Sequence, residues 1–234
     1  MATFYSPRIV TNGLVLHLDA GNNRSYPGTG TVWTDLSRSG NNGTLANGPT
    51  FNIANGGGVV FDGVDDYAEI PTNAVIDNAL AGQFTFEMWV MPLNAGARYG
   101  KFFGKGNYYN RINGIGGDFN QAGPNYDISF QYRDASSNAV GVFTGFVSYN
   151  NWFHIVVTRN SANLMSGYNN GVFYASVSDS VNLGGSSYPI ILSRNDTPGE
   201  PRGSRIASFR FYTKGLSQSE ILQNYNATKG RFKL

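Results

Sequence analysis

The sequence predicts an all-β protein, two antiparallel sheets packed face to face, with one short helix near the C-terminus. Three observations carry that prediction. Apolar residues recur at period two in about ten short runs bounded by Gly, Asn, Asp or Pro. Asn170 and Gly171 stand between two such runs, the strongest short hairpin signal, because a two-residue type I′ turn needs positive φ at both positions. The clearest helical pattern lies near the end of the chain. There Ser217 and Glu220 form a capping box, Ile221, Leu222 and Tyr225 an apolar stripe, and Gly230 a stop.

Composition agrees and removes several function classes. The 234 residues include 30 Gly, 14 Tyr and 16 Phe, and only 14% are charged, against about 25% in an ordinary domain. That is the profile of many short strands joined by tight, polar, uncharged loops. With no cysteine, disulfides, zinc–thiolate sites, iron–sulfur clusters and cysteine nucleophiles are excluded. Two histidines, His17 and His154, leave little for a histidine-based metal site. A net charge of +2 does not argue for nucleic acid or an anionic membrane as partner. No apolar stretch approaches the ~18 residues of a membrane span. The first residues lack a basic segment leading into an apolar run, so no signal peptide is expected. Absence of cysteine fits folding in a reducing cytoplasm, and it also fits many bacterial secreted proteins.

Strand-period runs fall, in chain order, at Leu14–Asp19, 59–61, Tyr67–Ile70, 84–91, 128–132, 139–144, 152–159, 173–177, 190–194 and 206–212. In 84–91 the residues Phe84, Phe86, Met88 and Val90 share one face, and Thr85, Glu87 and Trp89 share the other. Run 152–159 is apolar on both faces at its centre, as in a strand covered on both sides. Segment 93–126 is rich in Gly, Asn and Tyr and reads as long loops around one or two short strands. No repeat or linker marks a second domain. One sandwich over 13–231 is expected, with an N-terminal arm at 1–12 and a C-terminal tail at 232–234. Lys229, Arg231 and Lys233 surround Phe232, which reads as an exposed anchor for a partner.

Several blocks in this order resemble the LamG-like jelly-roll domains of the concanavalin A-like lectin/glucanase superfamily. They are 13–22 (Gly-Leu-Val-Leu-His-Leu-Asp-Ala-Gly-Asn), 33–37 (Trp-Thr-Asp-Leu-Ser), 40–45, Asn47-Gly48-Pro49 and 60–67. Then follow 84–90 (Phe-Thr-Phe-Glu-Met-Trp-Val), 152–159, the Asn170–Gly171 turn, and 209–212 with Leu216, Ser217, Glu220 and Ile221. The resemblance covers about 13–231 and implies a two-sheet concanavalin A-like jelly roll. Its members include glycan-binding, adhesive and phage-particle modules, and some hydrolases, so function must come from the site.

Glycoside hydrolysis by retention needs two carboxylates about 5–5.5 Å apart. The four glutamates are Glu69, Glu87, Glu200 and Glu220, and none has a second carboxylate two or four residues along a strand. No Gly-x-Ser-x-Gly elbow is present. A non-enzyme is therefore expected. Calcium, which takes oxygen ligands from Asp, Asn and Gly-rich turns, is the one candidate cofactor. Its candidate ligands are Asp19, Asn22, Asp35 and Asn41, with Asn42 and with Asp62, Asp65 and Asp66 as further contributors. The same side chains would equally hold turns through local hydrogen bonds. In calcium-binding relatives an acid on the closing strand helps; here that segment reads Ile206, Ala207, Ser208, Phe209, and Arg38 stands where relatives have Gly.

Sugar binding needs aromatic platforms beside amide and carboxylate groups. Tyr99, Tyr108, Tyr109, Asn110, Arg111, Asp118, Asn125 and Tyr126 concentrate these types in one region. They are the candidate carbohydrate- or partner-binding residues, since protein interfaces use the same side chains; the aromatics among them would equally fill a loop-covered core. The resemblance to phage modules implies a virion protein on capsid or tail, homo-oligomeric, folded in a host cytoplasm, contacting other virion proteins and host-surface glycans. A freestanding lectin or adhesin is the alternative, and a polysaccharide hydrolase a third.

Overall fold

The computed structural model describes residues 7–96, 100–107, 112–122, 125–133, 139–179, 188–194 and 202–234. The elements are β1 (Leu14–Asp19), β2 (Val32–Trp33), β3 (Gly43–Ala46), β4 (Thr50–Asn52), β5 (Gly58–Phe61), β6 (Tyr67–Ile70) and α1 (Ala74–Ala79). They continue with β7 (Phe84–Gly96), β8 (Lys101–Asn107), β9 (Ile112–Ala122), β10 (Asn125–Arg133), β11 (Ala139–Val147) and β12 (Phe153–Arg159). The last are β13 (Leu164–Asn169), β14 (Val172–Ser178), β15 (Ile190–Leu192), β16 (Arg202–Tyr212) and α2 (Gln218–Thr228).

Two antiparallel sheets form. The first runs β14-β13-β12-β7-β16-β5-β4, with β1 also on β16; the second runs β11-β10-β9-β8-β15-β6-β3-β2. β16 makes the first sheet possible. One of its edges pairs with β7, and the other is divided between β5, at Ser204 to Ile206, and β1, at Ser208 to Tyr212. A bulge between Ile206 and Ser208 bends the strand where that division falls.

Period-two patterning decides the faces as expected. Phe84, Phe86, Met88 and Val90 enter the core between the sheets with Phe209 and Phe211 from β16. The Phe86 ring lies 4.8 Å from both Phe103 and Phe211. Each such side chain stabilises the fold by about 1.5–3 kcal/mol through burial. The Asn170–Gly171 turn takes φ of 51° and 77°, the double positive φ that its sequence predicts. Arg38 adopts φ of 78°, a left-handed conformation that glycine takes without strain.

The outer face of the first sheet is also buried. Thr85, Glu87, Trp89, His154, Arg210 and Tyr212 lie beneath α2 and the 3-10 turn Lys229–Phe232. Ser217 and Glu220 form the expected capping box. Three expectations are corrected. Helix α2 ends at Thr228, and Gly230 lies inside the 3-10 turn that follows. Leu222 faces solvent, because Ile221 and Asn224 take the inward positions. Phe232 is a core residue, not an exposed anchor: it is buried, with its ring stacked 4.0 Å from Trp89 and 4.7 Å from Trp152. Segment 93–126 is also more regular than its composition implies, since β8 and the eleven-residue β9 occupy much of it. Glycines weaken the strand signal there because they supply no side chain to alternate.

Candidate functional site

Of the residues expected to bind glycan or partner, Tyr99, Tyr108, Tyr109, Asn110 and Arg111 lie outside the described residues. Asp118 is on β9, and Asn125 and Tyr126 open β10. Their backbones belong to one hairpin, with Tyr126 opposite Gln121 and Ser129 opposite Asp118.

The candidate calcium ligands are held by hydrogen bonds and an ion pair. Asp35 Oδ1 accepts from the backbone N–H of His17 and of Ser37, and Oδ2 from the Ser37 hydroxyl and the Asn41 N–H. Asn41 donates its amide to the Val15 carbonyl. Asp19 Oδ1 accepts from Gly21 N–H and from Arg231 at 2.6 Å, and Asn22 Oδ1 accepts from Arg24 N–H. This is the pattern of side chains holding turns. Among the described residues, the carboxylates that do converge are Asp62, Asp65 and Asp66, with oxygens within 4.8 Å of one another. Within that loop Asp62 accepts from Val64 N–H, and Asp66 from Asp62 N–H.

Glu87 is fully buried in a polar cluster under α2. Arg210 donates to its Oε1, His154 Nε2 lies 2.9 Å from the same oxygen, and Asn224 donates to Oε2 at 2.6 Å. Asn224 also reaches the Tyr212 hydroxyl at 3.0 Å and accepts from Val10 N–H at 2.7 Å. One amide thus ties the helix, the N-terminal segment and two strands together. Burial, the largest single effect, pushes the Glu87 carboxyl up, but Arg210, His154 and Asn224 together outweigh it and bring it down to about 2. No second carboxylate faces Glu87 in this set. The cluster locks α2 to the sheet and does not have the geometry of a glycosidase.

His17, paired with Arg210 across β1 and β16, adds a pH dependence. Burial and the neighbouring Arg210 lower its pKa to about 4, against smaller opposing effects of Asp19, Glu87 and Asp35. The unfolded chain takes up this proton near pH 6.5 and the folded one does not. The stability is therefore complete above pH 6.5 and is lost as pH falls toward 4, by about 3 kcal/mol. Urea midpoints measured across that range are expected to fall, and His17→Gln to flatten the fall.

An open groove of about 600 Å³ lies on the same sheet, beyond the start of α2. Tyr168 and Phe173 form one wall as cross-strand partners on β13 and β14, their rings 5.6 Å apart at 71°. Tyr168 is buried against Leu216 and Ile221, while Phe173 is 45% exposed. Burial raises the Tyr168 hydroxyl's pKa, against a hydrogen bond with Ser166, so the group is a neutral donor at pH 7. The Thr85 hydroxyl fixes the floor, bonding Thr158 at 3.0 Å and accepting from Leu216 N–H at 2.9 Å. Ser161, Ser176, Gln83, Asn160 and Gln218 complete the rim. The groove thus presents an apolar platform beside hydroxyl and amide groups, the chemistry that recognises sugars. Sequence reasoning missed it, although Tyr168 and Phe173 bracket the Asn-Gly turn symmetrically and that symmetry was the available signal.

Similar solved structures are binding domains of toxins. That of Paraclostridial Mosquitocidal Protein 1 superposes with a TM-score of 0.71 at 17% identity, over 93% of this chain and 52% of that one. The botulinum neurotoxin serotype D binding domain gives 0.70 at 15%, over 92% and 52%. The binding domain of Botulinum Neurotoxin DC, in complex with SialylT, gives 0.71 at 14%, over 93% and 52%. The chain spans about half the length of each, and at these identities the likeness is one of fold. No curated protein matches the chain in sequence. The two-sheet antiparallel architecture agrees with a sequence match over residues 62–222, and the chain belongs to the Laminin_G_3 family of the concanavalin A-like lectin/glucanases superfamily.

Proposed function

We propose that the protein is a non-catalytic carbohydrate-binding module that takes glycans of a cell surface in the groove beside Phe173. The observation that carries this reading is the groove itself, a part-exposed phenylalanine beside hydroxyls and amides with no carboxylate among its described lining residues. Glycoside hydrolysis needs two carboxylates across the scissile bond, and the buried Glu87 is spent on Arg210, His154 and Asn224. The likeness to toxin binding domains, one of them in complex with SialylT, supports glycan recognition by this fold over attachment to a virus particle; it is a likeness of fold and carries over neither that acidic sugar nor its site.

The test is a glycan array with the whole protein and the Phe173→Ala variant. Phe173 is 45% exposed, so its removal is expected to shift stability by no more than about 0.5 kcal/mol while weakening glycan binding at least tenfold. Bound glycans should show no new reducing ends on prolonged incubation. Binding to no glycan, or cleavage of one, would refute the proposal.

A further inference from the structure

We infer that this groove selects neutral glycans and rejects those carrying a carboxylate; the inference rests on the carbohydrate-binding reading above. Among the described lining residues none is charged. The ionic groups that flank them in sequence are already paired. Arg159, between Thr158 and Asn160, turns away to Asp179 and the Gly82 carbonyl. Lys214, next to Gly215, lies 2.7 Å from Glu220. A sialic acid or uronate entering here would give up hydration of its carboxylate with no cation to replace it, a cost that neutral donors offset only in part. Hydroxyls of a neutral sugar face no such loss, because Ser176 and Gln83 offer neutral donors and acceptors and Asn160 its amide N–H, its Oδ1 already accepting from the Ala162 and Leu164 N–H groups. Discrimination of this kind works by an unmet need of the wrong ligand rather than by an added contact to the right one. The small net charge, +2, supplies little long-range attraction to offset it.

The experiment is calorimetric titration of the whole protein with neutral hexose and N-acetylhexosamine oligomers. The same cores ending in sialic acid, and oligogalacturonate, are titrated in parallel, and the set is repeated with Phe173→Ala. Neutral oligomers binding at least tenfold more tightly than their acidic counterparts, with loss in Phe173→Ala, is the expected result. Acidic glycans binding as tightly as neutral ones would overturn the selectivity while leaving carbohydrate binding in place. Neutral binding unchanged in Phe173→Ala would overturn the assignment to this groove. Failure of both series would overturn the carbohydrate-binding reading itself.

Discussion

Replacing Glu87 with Gln is expected to destabilise the protein by about 3–5 kcal/mol, because Arg210 would remain buried without a compensating charge. For a chain of this size that corresponds to a fall in Tm of about 6–20 °C. Both oxygens of Glu87 are engaged: Arg210 and His154 meet Oε1, Asn224 meets Oε2, and Tyr212 meets Asn224, while His154 Nδ1 and Arg210 Nε are buried with no hydrogen-bond partner among the described residues. The double variant Glu87→Gln/Arg210→Gln should recover part of the loss, since it removes the orphaned cation together with its partner. The carboxyl sits at about 2 in the folded state, below its ordinary 4.5. Its stabilisation is therefore present above pH 4.5 and is lost as pH falls through 2, and Glu87→Gln should remove that part of the acid profile. Glycan binding by the folded variant should be unchanged, because Glu87 does not line the groove. A Tm within about 2 °C of the parent would mean that the cluster does not hold α2 on the sheet.

Phe232→Ala is the second large effect expected. The ring lies nearly parallel to Trp89 at 4.0 Å and tilted on Trp152 at 4.7 Å, so its removal opens a cavity between two indoles. Loss of a buried phenylalanine costs about 3–5 kcal/mol. Trp89 is also anchored to α2, through Nε1–H to the Thr228 hydroxyl at 2.8 Å. Loosening the 3-10 turn should therefore expose both indoles and shift tryptophan emission to the red. If Phe232 instead served an exposed contact, the variant would keep the parent Tm and emission and lose only a partner.

Local order in this protein is written plainly in the chain. Alternation at 84–91 places Phe86 inward and Glu87 outward, and the structure agrees. The Asn170–Gly171 turn and the Ser217–Glu220 capping box are equally visible. Each depends on residues no more than a few positions apart, where period, turn chemistry and capping act. Strands β8 and β9 were obscured because their glycines carry no side chain to show a period. Phe232 was misread because a ring flanked by Lys and Arg looks solvated until a helix carries it back over Trp89.

Local pattern carries the all-β class, the faces of the longer strands, one capped helix and the family to which the chain belongs. Which of those faces meet is settled by contacts between distant parts of the chain. Glu87 finds His154, Arg210 and Asn224 across separations of 67, 123 and 137 residues. The groove gathers Gln83, Asn160, Phe173 and Gln218 from four separate parts of the chain. A strand's own period says which side chains point outward. The order of strands in a sheet and the helix that covers it depend on long-range pairing, which no local pattern encodes.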